Sequence, residues 1–207
     1  MVTSWAMLNT AISIPSAAAA PCPDIEVVFA RGTGERPGVG YVGQAFVDSL
    51  RPNVGGRSVG VYAVNYPAAY DFSNSASAGA GDASAHVQYM AANCPNTRMV
   101  LGGMSQGAGV IDLITIGSIT VPGFTPAPMA PEVADHVAAV AVFGNPSRNL
   151  PGLGPLTTIS PLYGAKTIDL CAPDDLFCSE GKSIIAHLSY VQNGMVSQAA
   201  AFAASRL

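Results

Sequence analysis

Five short apolar runs, rich in β-branched residues, punctuate the chain at Ile25–Ala30, Val59–Asn65, Arg98–Gly102, Val137–Phe143 and Lys166–Leu170. Their apolar residues are successive rather than alternating, the pattern of strands buried on both faces. Between the first four lie helix-like segments, Gly43–Leu50, Ala76–Asn93 and Ala108–Ile116, and a last helix is expected over Leu188–Ala204. Strands alternating with helices predict an α/β fold, with a central five-stranded parallel sheet and helices on both faces. The stretches 117–131 and 145–164 are rich in Pro and Gly and read as surface loops, too short to link domains.

Composition narrows the picture. A chain of 207 residues suggests one domain with a real core. Charged residues are only 11% and hydrophobic ones 49%, which excludes disorder. A net charge of −4, with no cluster of Lys and Arg, argues against nucleic acid as a partner. The first charge is Asp24; before it an apolar stretch, Trp5–Ile14, ends in the small residues 15–20. Residues 1–20 therefore read as a signal peptide or truncated leader lacking a basic start, and 21–207 as the mature domain. Asn9, Thr10, Ser13, Pro15 and Ser16 interrupt that stretch and argue against a transmembrane span.

Four cysteines fit an exported protein with two disulfides. Cys171 and Cys178 flank a short polar loop and are expected to pair, which leaves Cys22 with Cys94. No C-x-x-C occurs, and no metal is expected. The overall expectation is a secreted or envelope-associated monomer.

The third apolar run stops at Gly102, and Gly103-Met104-Ser105-Gln106-Gly107 follows, ahead of a helix-like segment. A serine between glycines, after a strand and before a helix, is the layout of a nucleophile elbow. The five-residue pattern alone is weak, because this composition gives roughly 0.2 chance matches. A second match, Gly56-Arg57-Ser58-Val59-Gly60, is indeed present. Ser58 precedes its strand instead of following it, so it reads as a loop residue and Ser105 as the nucleophile.

Serine needs a base, commonly histidine, which a carboxylate in turn orients. His86 lies mid-helix and reads as an exposed helix histidine. His136 opens the fourth strand, the wrong end for a parallel sheet whose sites form at carboxyl ends. His187 follows the last strand and the cysteine loop, where a late catalytic loop belongs. Among the acids, Asp112 lies two turns beyond the serine on the following helix, and Glu132 and Asp135 share the position problem of His136. Asp169 is within a strand. Asp174 and Asp175 lie just past its end, inside the Cys171–Cys178 ring; spacing alone does not separate them. A disulfide there would steady a carboxylate against the His187 loop.

Oxyanion donors are expected from the backbone N–H of Gln106 and from Thr33, in the loop that leaves the first strand. Gly38-Val39-Gly40-Tyr41-Val42-Gly43 also matches the dinucleotide pattern G-x-G-x-x-G. It lies too far from its strand, and no acid ends the second strand, so a nucleotide site is not expected.

These segments together resemble the cutinase family of serine esterases, especially the small secreted hydrolases of actinobacteria. The matching stretches include Val28-Phe-Ala-Arg-Gly-Thr33, Tyr62-Ala-Val-Asn-Tyr-Pro67, Gly102-Gly-Met-Ser-Gln-Gly107, Ala141-Val-Phe-Gly-Asn-Pro146, Cys171-Ala-Pro-Asp-Asp-Leu-Phe-Cys178 and His187-Leu-Ser-Tyr190. The resemblance implies an α/β-hydrolase fold, hydrolysis of polyester, acyl ester or lipid substrates, and no cofactor. It selects Asp175 over Asp174 as the acid and implies the Cys22–Cys94 pairing and the oxyanion roles of Thr33 and Gln106. Met104 departs from the tyrosine common before the nucleophile, and Asp174 adds a charge near His187. Pro67–Phe72 and Leu176–Ala186 are the expected lips of the cleft, with Phe72, Leu176, Phe177, Ile184 and Ile185 toward an acyl chain. The alternative is an exported envelope protein that keeps the fold without useful turnover.

Overall fold

The computed structural model describes residues 22–117 and 119–207, so the expected leader lies outside the described residues. Strands β1 (Ile25–Ala30), β2 (Val59–Ala63), β3 (Arg98–Met104), β4 (Val137–Phe143) and β5 (Thr167–Leu170) form one parallel sheet in the order β2-β1-β3-β4-β5. Every residue of β1 and β4 is buried, as the unbroken apolar runs require. Helices α1 (Gly40–Leu50) and α6 (Met195–Ala204) cover one face, and α2 (Phe72–Asn93) and α3 (Gln106–Thr115) the other. Under α1 the rings of Phe29, Phe46 and Phe143 meet pairwise with centroids 6.2–6.4 Å apart. Two single-turn helices, α4 (Leu156–Ile159) and α5 (Ile184–His187), interrupt the later connections.

The register brings the functional loops to one edge. Ala30 pairs with Gly103, Met104 with Phe143, and Phe143 with Leu170. The chain therefore leaves β1, β3, β4 and β5 side by side, at the carboxyl ends of the strands. Both disulfides are as expected, Cys22–Cys94 and Cys171–Cys178.

Two expectations need correction. The last helix begins at Met195, not Leu188, because Gly194 takes a left-handed φ of 81° and Asn193 Oδ1 accepts the Met195 N–H (3.1 Å). His86 is not an exposed helix residue. Its Nε2 meets Glu26 Oε2 of β1 at 2.9 Å, and its ring stacks on Tyr62 at 3.4 Å. Tyr62 in turn donates to Asp82 (3.0 Å), and burial first, then Asp82, push its phenol up to about 12. His86 thus holds α2 to the sheet. Ser58 is structural as expected, its hydroxyl donating to Asp24 Oδ2 (2.7 Å) ahead of β2.

The elbow has no slack. A Cβ on Gly103 would overlap the Gly107 carbonyl, and one on Gly107 would overlap the Ala30 carbonyl oxygen. Both obstacles are backbone and cannot rotate away. Gly107→Ala is expected to cost about 3 kcal/mol, the upper end for an overpacked site. At this chain length that lowers the melting temperature by about 6–12 °C, readable by calorimetry.

Candidate active site

Ser105 sits at the turn between β3 and α3 with φ 56° and ψ −117°, a conformation L-residues avoid unless their surroundings impose it. The surroundings do so here: Ser105 N–H donates to the Phe143 carbonyl (2.8 Å), and its own carbonyl accepts from Ala108 (2.9 Å). The hydroxyl is thereby lifted over the end of the sheet, at the amino end of α3, whose first N–H groups have no acceptor within the helix.

Ser105 and His187 line one cavity of about 600 Å³, together with Thr33 and Gln106. His187 ends α5, whose first turn is capped by Ser183 Oγ accepting the Ala186 N–H (3.1 Å). The imidazole is buried, with Nδ1 2.7 Å from Asp175 Oδ2. An ionised carboxylate only accepts, so Nδ1 carries the proton and Nε2 is the basic edge. The ring is boxed in by Phe177, with centroids 4.4 Å apart, and by Gly144, where a Cβ would come within 2.7 Å of Cε1. Gly144 also has φ 59°, so glycine is required there twice over.

Asp175 is fully buried and its carboxylate is saturated with donors. Oδ1 accepts the Phe177 N–H (2.8 Å), and Oδ2 accepts both His187 and the Tyr190 hydroxyl (2.7 Å each). The Cys171–Cys178 ring encloses it, and Ser183 N–H donates to the Asp174 carbonyl (2.8 Å), tying the ring to α5. Asp174 is exposed and shapes the turn with φ 65°; the carboxylate that meets His187 is that of Asp175.

The loop after β1 is braced from beneath. Buried Arg31 donates to the carbonyls of Glu35 (2.9 Å) and Tyr66 (2.7 Å). Gly32 and Gly34 give their N–H groups to Glu35 Oε2 (2.6 Å) and the Ala68 carbonyl (2.8 Å), on either side of Thr33. The Gln106 side chain is spent on structure: Oε1 accepts from Ser75 (2.9 Å) and Nε2 donates to the Ala69 carbonyl (2.8 Å). Only its backbone N–H is available to an oxyanion. The glycine-rich 38–43 segment opens α1, but the Glu35 carboxylate occupies that helix start by accepting the Tyr41 N–H (2.7 Å). A phosphate would meet a carboxylate there.

The cavity wall is apolar, with Phe72, Phe124, Leu113, Val121, Phe177 and Ile184 on it, and Met104 behind the nucleophile. Leu176 and Ile185, expected to face an acyl chain, are exposed and do not line it. Tyr70 and Leu188 do, and stand exposed at the mouth.

Sequence reasoning assigned no role to Tyr190, although it lies one helical turn beyond His187. Its ring is fully buried and its hydroxyl accepts the Ala172 N–H (3.0 Å) while donating to Asp175. Burial first of all holds the phenol well above its ordinary range, so it keeps its proton and remains a donor. Tyr190→Phe removes one charge-assisted hydrogen bond and is expected to lower kcat about tenfold at unchanged KM, measured by steady-state hydrolysis.

The family model described as Cutinase matches residues 21–207. The chain is 58% identical to carboxylesterase Culp1 of Mycobacterium tuberculosis, covering 100% of this chain and 92% of that one. It is 53% identical to phospholipase Culp4 of the same organism, covering 97% and 85%. Trichoderma reesei cutinase, solved with a phosphonate inhibitor, superposes with a TM-score of 0.72 at 31% identity, covering 89% of this chain and 77% of that one.

Proposed function

The chain belongs to the cutinase family and hydrolyses carboxylic esters, and from that premise we propose that Ser105, His187 and Asp175 do so through an acyl-serine intermediate. Ser105 Oγ attacks the ester carbonyl while His187 Nε2 takes its proton. The tetrahedral oxyanion accepts hydrogen bonds from the Gln106 N–H and from Thr33. Collapse expels the alcohol, to which His187 returns the proton, leaving the acyl group on Ser105. Water then attacks the acyl-enzyme, with His187 again acting as base, and the free acid departs. Asp175 fixes the imidazole tautomer and stabilises the imidazolium, without itself taking the proton.

The observation that carries this reading is that Ser105 and His187 face one apolar cavity, with Asp175 held behind His187 by three donors. The apolar wall favours esters of alkyl acids over small polar ones. Export is part of the proposal: two disulfides fit an oxidising compartment, and among the described residues no helix is long and apolar enough to cross a membrane. The test is covalent labelling with a fluorophosphonate, mapped by mass spectrometry. A single adduct on Ser105, abolished in Ser105→Ala, is expected; a protein that hydrolyses esters with its adduct on another residue overturns the assignment.

A further inference from the structure

One carboxyl on the cavity wall takes no part in the triad. Gly109, Asp112 and Leu113 share a face of α3 below Ser105, and all three line the cavity. Asp112 is seven residues beyond the nucleophile, about 10 Å along the helix. Around it the wall is apolar: Ala76 and Phe72 from α2, Val121 and Phe124 from the segment after α3, and Leu150 from the loop after β4. The segment 119–130 carries no ionisable side chain. The cavity's other ionisable groups, Glu35, Tyr41, Tyr70 and His187, come from the β1–α1 loop, α1, the loop before α2, and α5.

Asp112 is 2% exposed and belongs to a polar seam that meets the cavity at this wall. Oδ1 accepts from Asn145 Nδ2 (3.1 Å), and Oδ2 accepts the Ser147 hydroxyl. The same Asn145 amide reaches Asp169 Oδ2 of β5 (3.3 Å), so two buried carboxyls share one donor group. Asp169 has its own cation, Arg148 (3.3 Å), and the Leu156 N–H (2.7 Å). Among the described residues Asp112 has no cation within ion-pair distance.

We propose that Asp112 determines acyl-chain selectivity, because a chain long enough to reach it is accepted with the Asp112 carboxyl neutral and disfavoured when it is ionised. An alkyl chain that fills this part of the cavity makes the surroundings of the carboxyl less polar and so favours its uncharged form. Binding of the long chain is therefore linked to proton uptake at Asp112. A short chain stops nearer Ser105 and carries no such linkage. The ionisation falls in a useful range: burial above all, with Asp169 adding to it against Ser147 and Asn145, pushes Asp112 up to about 7.

This rests on Ser105 as the nucleophile of the same cavity. The test is the ratio of kcat/KM for p-nitrophenyl decanoate to that for the butyrate, from pH 5 to pH 9, below the aggregation concentration of either ester. Any pH effect on the triad acts on both substrates and cancels in the ratio. The protonated fraction of a group titrating near 7 falls about tenfold between pH 6 and pH 8, and the ratio is expected to fall by up to about tenfold there. Asp112→Asn is expected to make it flat with pH. Ser147→Ala, which removes a hydrogen bond that favours the ionised form, is expected to move the fall to higher pH. A ratio independent of pH in the parent protein overturns the proposal, as does a fall that persists in Asp112→Asn. Either result leaves the nucleophile assignment standing, since that is decided by labelling of Ser105.

Discussion

Ser105→Ala is expected to lower kcat for ester hydrolysis on the order of 10⁶-fold, the size of effect found when a serine nucleophile is removed from an intact triad. The elbow explains why so much depends on one hydroxyl. The turn places Ser105 Oγ above the β3 end, facing the cavity that also contains the His187 ring, and no other serine among the described residues leaves a strand in this way. Alanine can keep the same backbone, because the turn's close approaches are made at Gly103 and Gly107 and not at the serine itself. The variant should therefore fold and melt like the parent, which separates lost chemistry from lost structure. Ser58→Ala, the other Gly-x-Ser-x-Gly serine, should leave hydrolysis unchanged and loosen only the Asp24 contact. Residual turnover above background in Ser105→Ala that is lost when His187→Ala is added would point to water activated directly by the imidazole.

Much of this arrangement could be read from the chain because the turn and the sheet impose narrow chemical demands. Strands buried on both faces must be continuously apolar, and the five runs were locatable for that reason. The elbow tolerates only glycine at 103 and 107, so Ser105 stood out among 18 serines. His187 and the acid pair followed from their places after β5. The readings that missed concern local turns and the environments of polar groups. Asn193-Gly194 breaks the last helix, yet the apolar residues on either side kept the helical spacing. His86 looked exposed because its partner Glu26 lies 60 positions away, on β1. Asp112 was set aside as a candidate acid for its distance from Ser105, and it does not meet His187. Its position seven residues after Ser105 and three after Gly109 nevertheless puts it on the cavity face of α3, a periodicity visible in the sequence. Nothing local marks Tyr190 as a donor to Asp175, since that contact depends on how the Cys171–Cys178 ring folds back over the sheet.

The second large effect separates the two adjacent acids. Asp175→Asn is expected to lower kcat about 10⁴-fold, whereas Asp174→Asn should leave it within a few fold. The reason lies in the Phe177 N–H. It donates to Asp175 Oδ1 at 2.8 Å, so an asparagine must place its amide oxygen there to accept it. The amide nitrogen then occupies the Oδ2 position and directs its hydrogens at His187 Nδ1 and Tyr190. His187 answers by accepting at Nδ1 and carrying its proton on Nε2, the edge that must receive the proton of Ser105. The side chain keeps its size, and the Tyr190 hydroxyl can accept where it formerly donated, so the fold should survive while the base is lost. At position 174 the substitution meets none of these constraints: the side chain is exposed, and asparagine is among the few residues at ease at a φ of 65°. Fluorophosphonate labelling of Ser105 should slow in parallel with kcat for Asp175→Asn, because both reactions need the serine's proton removed. A variant Asp174→Asn that loses activity as severely as Asp175→Asn would mean that the exposed acid, and not the buried one, governs His187.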